Sequence, residues 1–82
     1  MAFRVGDIVQ SKSGHDAKKN FVVIATLNES YILIADGKSR KLDSPKQKNV
    51  KHVKLIEETN DVAEYVNDKS IAERLAKLDT VE

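Results

Sequence analysis

The apolar positions of this chain follow two different rhythms. From Val5 to Ile56 they come in short runs separated by polar clusters. From Ile71 to Leu78 they recur at helical spacing. In the first part, Gly6-Asp7 leads into a strand from Ile8 to Lys12, and the polar segment Ser13 to Asn20, which holds Gly14, reads as a loop. Phe21 to Leu27 is rich in β-branched residues and reads as a strand buried on both faces. Asn28-Glu29-Ser30 is a turn, and Tyr31 to Ala35 is the third strand. Asp36-Gly37 is the strongest local turn signal in the chain. A type I′ hairpin needs positive φ at both central residues, and such a turn makes Lys38 to Leu42 a fourth strand antiparallel to the third. Ser44-Pro45 ends that pairing, because Pro lacks an N–H and restricts the residue before it. Val50 to Ile56 is the fifth strand. Its apolar residues Val50, Val53 and Leu55 do not alternate strictly, which predicts a bulge or a helical turn within it.

In the tail, Ile71, Leu75 and Leu78 lie at i, i+4 and i+7 beside Ala72 and Ala76, which predicts a helix from Ile71 to Leu78. Ser70-Ile71-Ala72-Glu73 fits a capping box at its start. So short a helix is marginal alone in water, so its Ile/Leu stripe must dock on the body or on a partner. Glu57 to Asp68 reads as an acidic linker with a candidate helical turn at Val62-Tyr65-Val66. The fold class is therefore mainly β: a small antiparallel barrel over residues 1–56, with residues 57–82 as linker and amphipathic helix. Closure removes the exposed edges that so small a sheet would otherwise carry.

Composition narrows the function. Eighty-two residues make one domain with a modest core. There is no Cys, which excludes a disulfide framework and a thiolate metal site, and two His are too few for a zinc cage without carboxylates. The sequence shows no apolar signal-peptide core, and its longest apolar run is too short for a bilayer, so the expected compartment is the cytoplasm, with no membrane partner.

The net charge of +1 hides an asymmetry. Residues 1–55 carry eleven Lys/Arg against five acids, or +6, whereas residues 56–82 carry three against eight, or −5. A basic body with an acidic tail is a cue for nucleic-acid contact, and a solvated mixed surface is its plain alternative.

The stretch Gly6-Asp7-Ile8-Val9, Ser11-Lys12-Ser13-Gly14, Asp16, Phe21-Val22-Val23-Ile24, Tyr31 to Gly37, Arg40-Lys41-Leu42, Pro45-Lys46 and Lys51-His52-Val53 resembles a KOW module. It is most similar to the ribosomal protein L14e-like family, including the short bacterial KOW-domain RNA-binding proteins. That resemblance covers residues 5–54 and implies an SH3-like barrel, RNA binding, and association with ribosomal RNA or the ribosome. The family usually has a second Gly in the first loop where this chain has Lys18, and an Arg where it has His15. If that Gly supplied positive φ, Lys18 must adopt it.

The candidate RNA-binding residues are the cationic ones of the loops and later strands. Lys12, His15, Lys18 and Lys19 belong to the first loop, and Lys38, Arg40 and Lys41 to the predicted fourth strand. Lys46, Lys48, Lys51, His52 and Lys54 follow. In a barrel, loops from alternate strand ends converge on one rim, where lysines hold phosphate without reading bases. Aromatic platforms are scarce: Phe21 is expected in the core and Tyr31 half-buried, while Phe3 is the one plausible exposed ring near the barrel start, with a loose terminus as the favoured reading. This favours structured RNA recognised by shape and phosphate. Asp16 is expected to cap the first loop, and His52 to lie on a strand. No nucleophile with a matched base, no H-E-x-x-H and no phosphate-binding Gly loop is found, so no enzyme, cofactor or metal is expected. The reading is a monomeric, non-enzymatic RNA-binding protein, with ribosomal proteins as further partners. Its rival is a protein–protein adaptor of the translation or transcription machinery that docks through Ile71, Leu75 and Leu78.

Overall fold

The computed structural model describes residues 3–15, 17–58 and 67–79. Five strands, β1 (Ile8–Ser11), β2 (Asn20–Thr26), β3 (Tyr31–Ala35), β4 (Lys46–Asn49) and β5 (Val53–Glu57), form one antiparallel sheet in the order β4-β3-β2-β1-β5. A 3₁₀ turn, Val50–His52, joins β4 to β5, and one helix, α1 (Asp68–Asp79), follows. The strands β4 and β5 are the two outer members of the sheet, yet three residues connect them. Three residues of 3₁₀ helix advance about 6 Å. A flat sheet of five strands would hold its edges about 19 Å apart, so this sheet must coil on itself into a small barrel-like shape.

Alternation along the strands gives each face its own core. Val9 lies opposite Phe21, and Val23 opposite Ile34. With Ile32 and Val53 these form the interior cluster, against which Phe3 and Val50 pack. The neighbouring positions Ile8 and Val22 also pair, and they point to the other face. Helix α1 covers them there, with Ile71, Leu75 and the half-buried Leu42 packed alongside. The expectation that β2 is buried on both faces thus holds over Phe21, Val22 and Val23, and each face has a different cover. Full burial of each such side chain is worth about 1.5–3 kcal/mol. Twelve residues of helix would be marginal alone, so the Ile71/Leu75 contact is what holds α1 in place.

Three sequence expectations are corrected. Lys38 to Leu42 is not a strand. Asp36 accepts the Lys38 and Arg40 N–H groups on its Oδ1, at 2.9 and 2.8 Å, while its own N–H reaches the Arg40 carbonyl at 2.8 Å. This closes a compact loop in place of a hairpin. Gly37 has φ 78, but among the described non-Gly residues only Lys18 has positive φ, so Asp36-Gly37 is not a type I′ pair. The strand that pairs with β3 is Lys46–Asn49, just after Pro45. The loop instead cradles the helix: the Leu42 N–H donates to Asp68 Oδ1 at 2.7 Å, and a Cβ on Gly37 would overlap the Asp68 carbonyl oxygen.

The second correction concerns the capping box. Helix α1 starts at Asp68, and its cap is Asn67, whose Oδ1 accepts the Ser70 N–H at 2.8 Å. The Ser70 hydroxyl donates to the Asn67 carbonyl at 3.0 Å. An Asn cap places Asp68 in the first turn, where a carboxylate is favoured by the helix dipole and is free to accept from Leu42. Third, Phe3 is half-buried against the interior cluster, not on a loose terminus. The irregularity expected after Val50 is present as the 3₁₀ turn, in which the Asn49 side chain accepts the Lys51 N–H. The segment Val62-Tyr65-Val66 and residue Asp16 lie outside the described residues.

Candidate nucleic-acid interface

The loop between β1 and β2 is held at both ends by its own backbone. The Lys18 N–H donates to the Ser11 carbonyl at 2.8 Å, and the Ser11 N–H donates to the Lys19 carbonyl at 3.0 Å. The Gln10 side chain donates to the Lys18 carbonyl at 3.3 Å. These bonds hold Lys18 at φ 72, so this non-Gly residue does occupy the left-handed region. Such a backbone costs an L-residue roughly 1–2 kcal/mol. Lys18→Gly is therefore expected to stabilise the fold by about 1 kcal/mol after the extra freedom of Gly in the unfolded chain is subtracted. A urea titration that shows equal or lower stability for the variant would contradict the strain.

Two further elements brace the same loop. Lys48 Nζ, from the edge strand β4, donates to the Ser13 carbonyl at 3.2 Å. The Lys12 N–H donates to the carbonyl of His52 in the 3₁₀ turn at 2.7 Å. His52 thus lies in a helical turn and not on a strand, with its side chain exposed and its backbone fixing Lys12.

The twelve candidate residues do not meet at a single point. Lys18, Lys19 and Lys38 border one open cleft of about 240 Å³, along with Asp36 from the 36–45 loop and Ala72 and Leu75 from α1. Lys12, Lys51 and Lys54 border a second groove of about 370 Å³, next to Phe3. The first loop lies between the two, since Lys12 opens it and Lys18 and Lys19 close it. Lys46 and Lys48 are half-buried on β4, and Lys48 is engaged with the loop. His15, Arg40 and Lys41 are exposed on their loops and border neither cleft among the described residues. The sequence offered Phe3 as a plausible exposed ring but favoured a loose terminus, and the structure places it beside the second groove.

Both clefts set lysine side chains beside small apolar walls. Lysine ammonium groups suit phosphate oxygens as mobile point charges. Among the described residues, no group of three or more His and acidic side chains is placed to hold a metal ion, and no helix is long and apolar enough to cross a membrane.

Comparison with known proteins adds one finding. The chain is similar to a ribosomal protein. It is 24% identical over 75 residues to the large ribosomal subunit protein eL14 of Staphylothermus marinus, a match that covers 92% of this chain and 78% of that protein. No family model matches the chain. The similarity takes in both the sheet and the region of α1, so it extends past residues 5–54, where the KOW resemblance ends.

Proposed function

We propose that this chain is a non-enzymatic RNA-binding protein of the L14e-like, KOW-bearing type, with an SH3-like barrel that contacts structured ribosomal RNA in the cytoplasm. The observation that carries the reading is the pair of lysine-bordered clefts flanking one braced loop. The distant similarity to eL14, a protein of the large ribosomal subunit, supports it. Lys12, Lys18, Lys19, Lys38, Lys51 and Lys54 hold phosphates in the clefts. Lys46 and Arg40 with Lys41 widen the cationic field, His15 and His52 donate at the loop and the 3₁₀ turn, and Lys48 shapes the loop. The protein acts as a monomer in which barrel and helix form one unit, with ribosomal proteins as neighbours.

The adaptor reading loses two of its three docking residues in this fold, and the Leu78 side chain lies outside the described residues. Ile71 and Leu75 are already buried against Ile8 and Val22 of the same chain. The two readings differ on purification at low salt. An RNA binder is expected to carry nucleic acid, visible by its ultraviolet absorbance, which high salt strips away. A protein that is free of nucleic acid but holds a protein partner through a high-salt wash would favour the adaptor.

A further inference from the structure

We propose that Phe3 is a stacking platform for one unpaired nucleotide of a single-stranded RNA segment, with its base on the ring and its flanking phosphates on Lys12, Lys51 and Lys54. This rests on the RNA reading above and names the element of RNA that the groove takes.

The groove joins the two parts that single-strand recognition needs. Sequence-tolerant binders combine a positively charged groove for the backbone with a ring on which a base stacks. Here the ring is fixed from behind. Phe3 packs against the interior cluster yet remains partly exposed, and it borders the groove of about 370 Å³. Val50, Val53 and Leu55 continue the apolar floor. A base that stacks on such a surface orders few groups that were free before, so little affinity is lost to conformational entropy.

The backbone beneath the charges is held too, and the three lysines come from three elements. Lys12 follows β1, Lys51 lies in the 3₁₀ turn, and Lys54 is on β5. Two of these elements are tied by the Lys12 N–H to His52 carbonyl bond, and the Lys51 N–H is held by Asn49 Oδ1 at 2.9 Å. Among the described residues, all the charged ones bordering the groove are lysines. The other cleft differs on both counts, because among the described residues it includes Asp36 and is bordered by no ring. It therefore suits phosphate alone. The shortage of exposed rings argued for shape recognition only, and the position of Phe3 revises that for this one groove. The bland alternative is that Phe3 merely plugs the open end of the barrel.

The test uses the full chain and two labelled RNAs at low salt, a short single-stranded oligouridine and a blunt hairpin without unpaired ends. Phe3→Leu keeps an apolar plug but removes the ring. It is expected to weaken the oligouridine by about tenfold, within the range that base–aromatic stacking contributes, and to leave hairpin affinity and the melting temperature unchanged. Phe3→Tyr is expected to restore oligouridine binding. Unchanged oligouridine affinity in Phe3→Leu, or an equal loss for both RNAs with a lower melting temperature, overturns the platform. Binding of the hairpin alone by the unmutated chain overturns the platform and leaves the RNA reading standing. Binding of neither RNA overturns both. Photocrosslinking of the unmutated chain to an iodouridine-substituted oligomer gives a readout that needs no variant. The crosslink is expected on Phe3, and crosslinks confined to other residues overturn the inference.

Discussion

Gly37→Val is expected to destabilise the protein by roughly 2–6 kcal/mol, which adds about 1–3 for left-handed strain to about 1–3 for overpacking. Gly37 has φ 78, a conformation that β-branched residues avoid. A side chain there would also meet backbone atoms of Asp68 and Ala72 in the first turns of α1. The substitution thus strains the loop and pushes the helix from its seat. Gly14, exposed at φ 82, supplies the comparison. Gly14→Ala is expected to cost only about 1–2 kcal/mol, the backbone part alone. Urea titrations of both variants read the difference. If Gly37→Val costs no more than Gly14→Ala, the close approach of loop and helix is wrong.

Ending the chain after residue 58 is expected to cost a large share of its stability. The deletion uncovers Ile8 and Val22, each fully buried, and removes Ile71 and Leu75 from the same cluster. Losing the cover of two such side chains amounts to about 3–6 kcal/mol at about 1.5–3 each. A native domain holds only about 0.05–0.15 kcal/mol per residue, so the truncated barrel is expected to be partly unfolded at room temperature. The deletion also takes away the Arg74–Glu57 ion pair at 2.5 Å. That pair is partly exposed, and its loss adds at most about 1 kcal/mol. Circular-dichroism melts of the two lengths provide the measurement. A truncated chain that melts like the full one would show that α1 is an appendage and not part of the fold.

What the sequence revealed, and what it hid, follows from the physics of each element. β1, β2 and β3 were legible because their residues carry apolar runs that a sheet must bury. β4 was not, because Lys46-Gln47-Lys48-Asn49 has no apolar residue. It is an outer strand that pairs through its backbone with β3, and polar side chains at an edge are a common protection against further pairing. No hydrophobic period marks such a strand. The Asp36-Gly37 signal then assigned the pairing to the wrong segment. In the fold, Asp36 spends its carboxylate on two loop N–H groups, and Gly37 is needed for the approach of a helix 31 residues further along, at Asp68. A tertiary contact of that kind leaves no local trace. The cap was misplaced by three residues for a related reason: Ser70 and Asn67 both suit a cap, and only the contact of Asp68 with Leu42 favours the earlier start.

The cationic residues of the site were legible as composition, but their grouping was not. Lys12, Lys51 and Lys54 are separated by some forty positions in the chain and meet only because the 3₁₀ turn brings β5 beside β1. Lys18 is a different case. The resemblance named the one position where a Gly was expected, and the structure shows that position at φ 72. The local backbone demand was legible there even though the residue that meets it carries a side chain.

The central claim is that the barrel grips RNA through its phosphates, and the salt dependence of affinity tests it most directly. Fluorescence anisotropy of a labelled ribosomal RNA fragment with the full chain, repeated over a series of salt concentrations, yields the slope of log affinity against log salt. Each neutralised phosphate contributes about −0.7 to −0.9, so three to six engaged lysines predict a slope of about −2 to −5. Charge reversal of Lys12, Lys51 and Lys54 together is expected to flatten that slope by about 2 to 3. No binding at low salt, or an affinity that does not change with salt, would contradict the account.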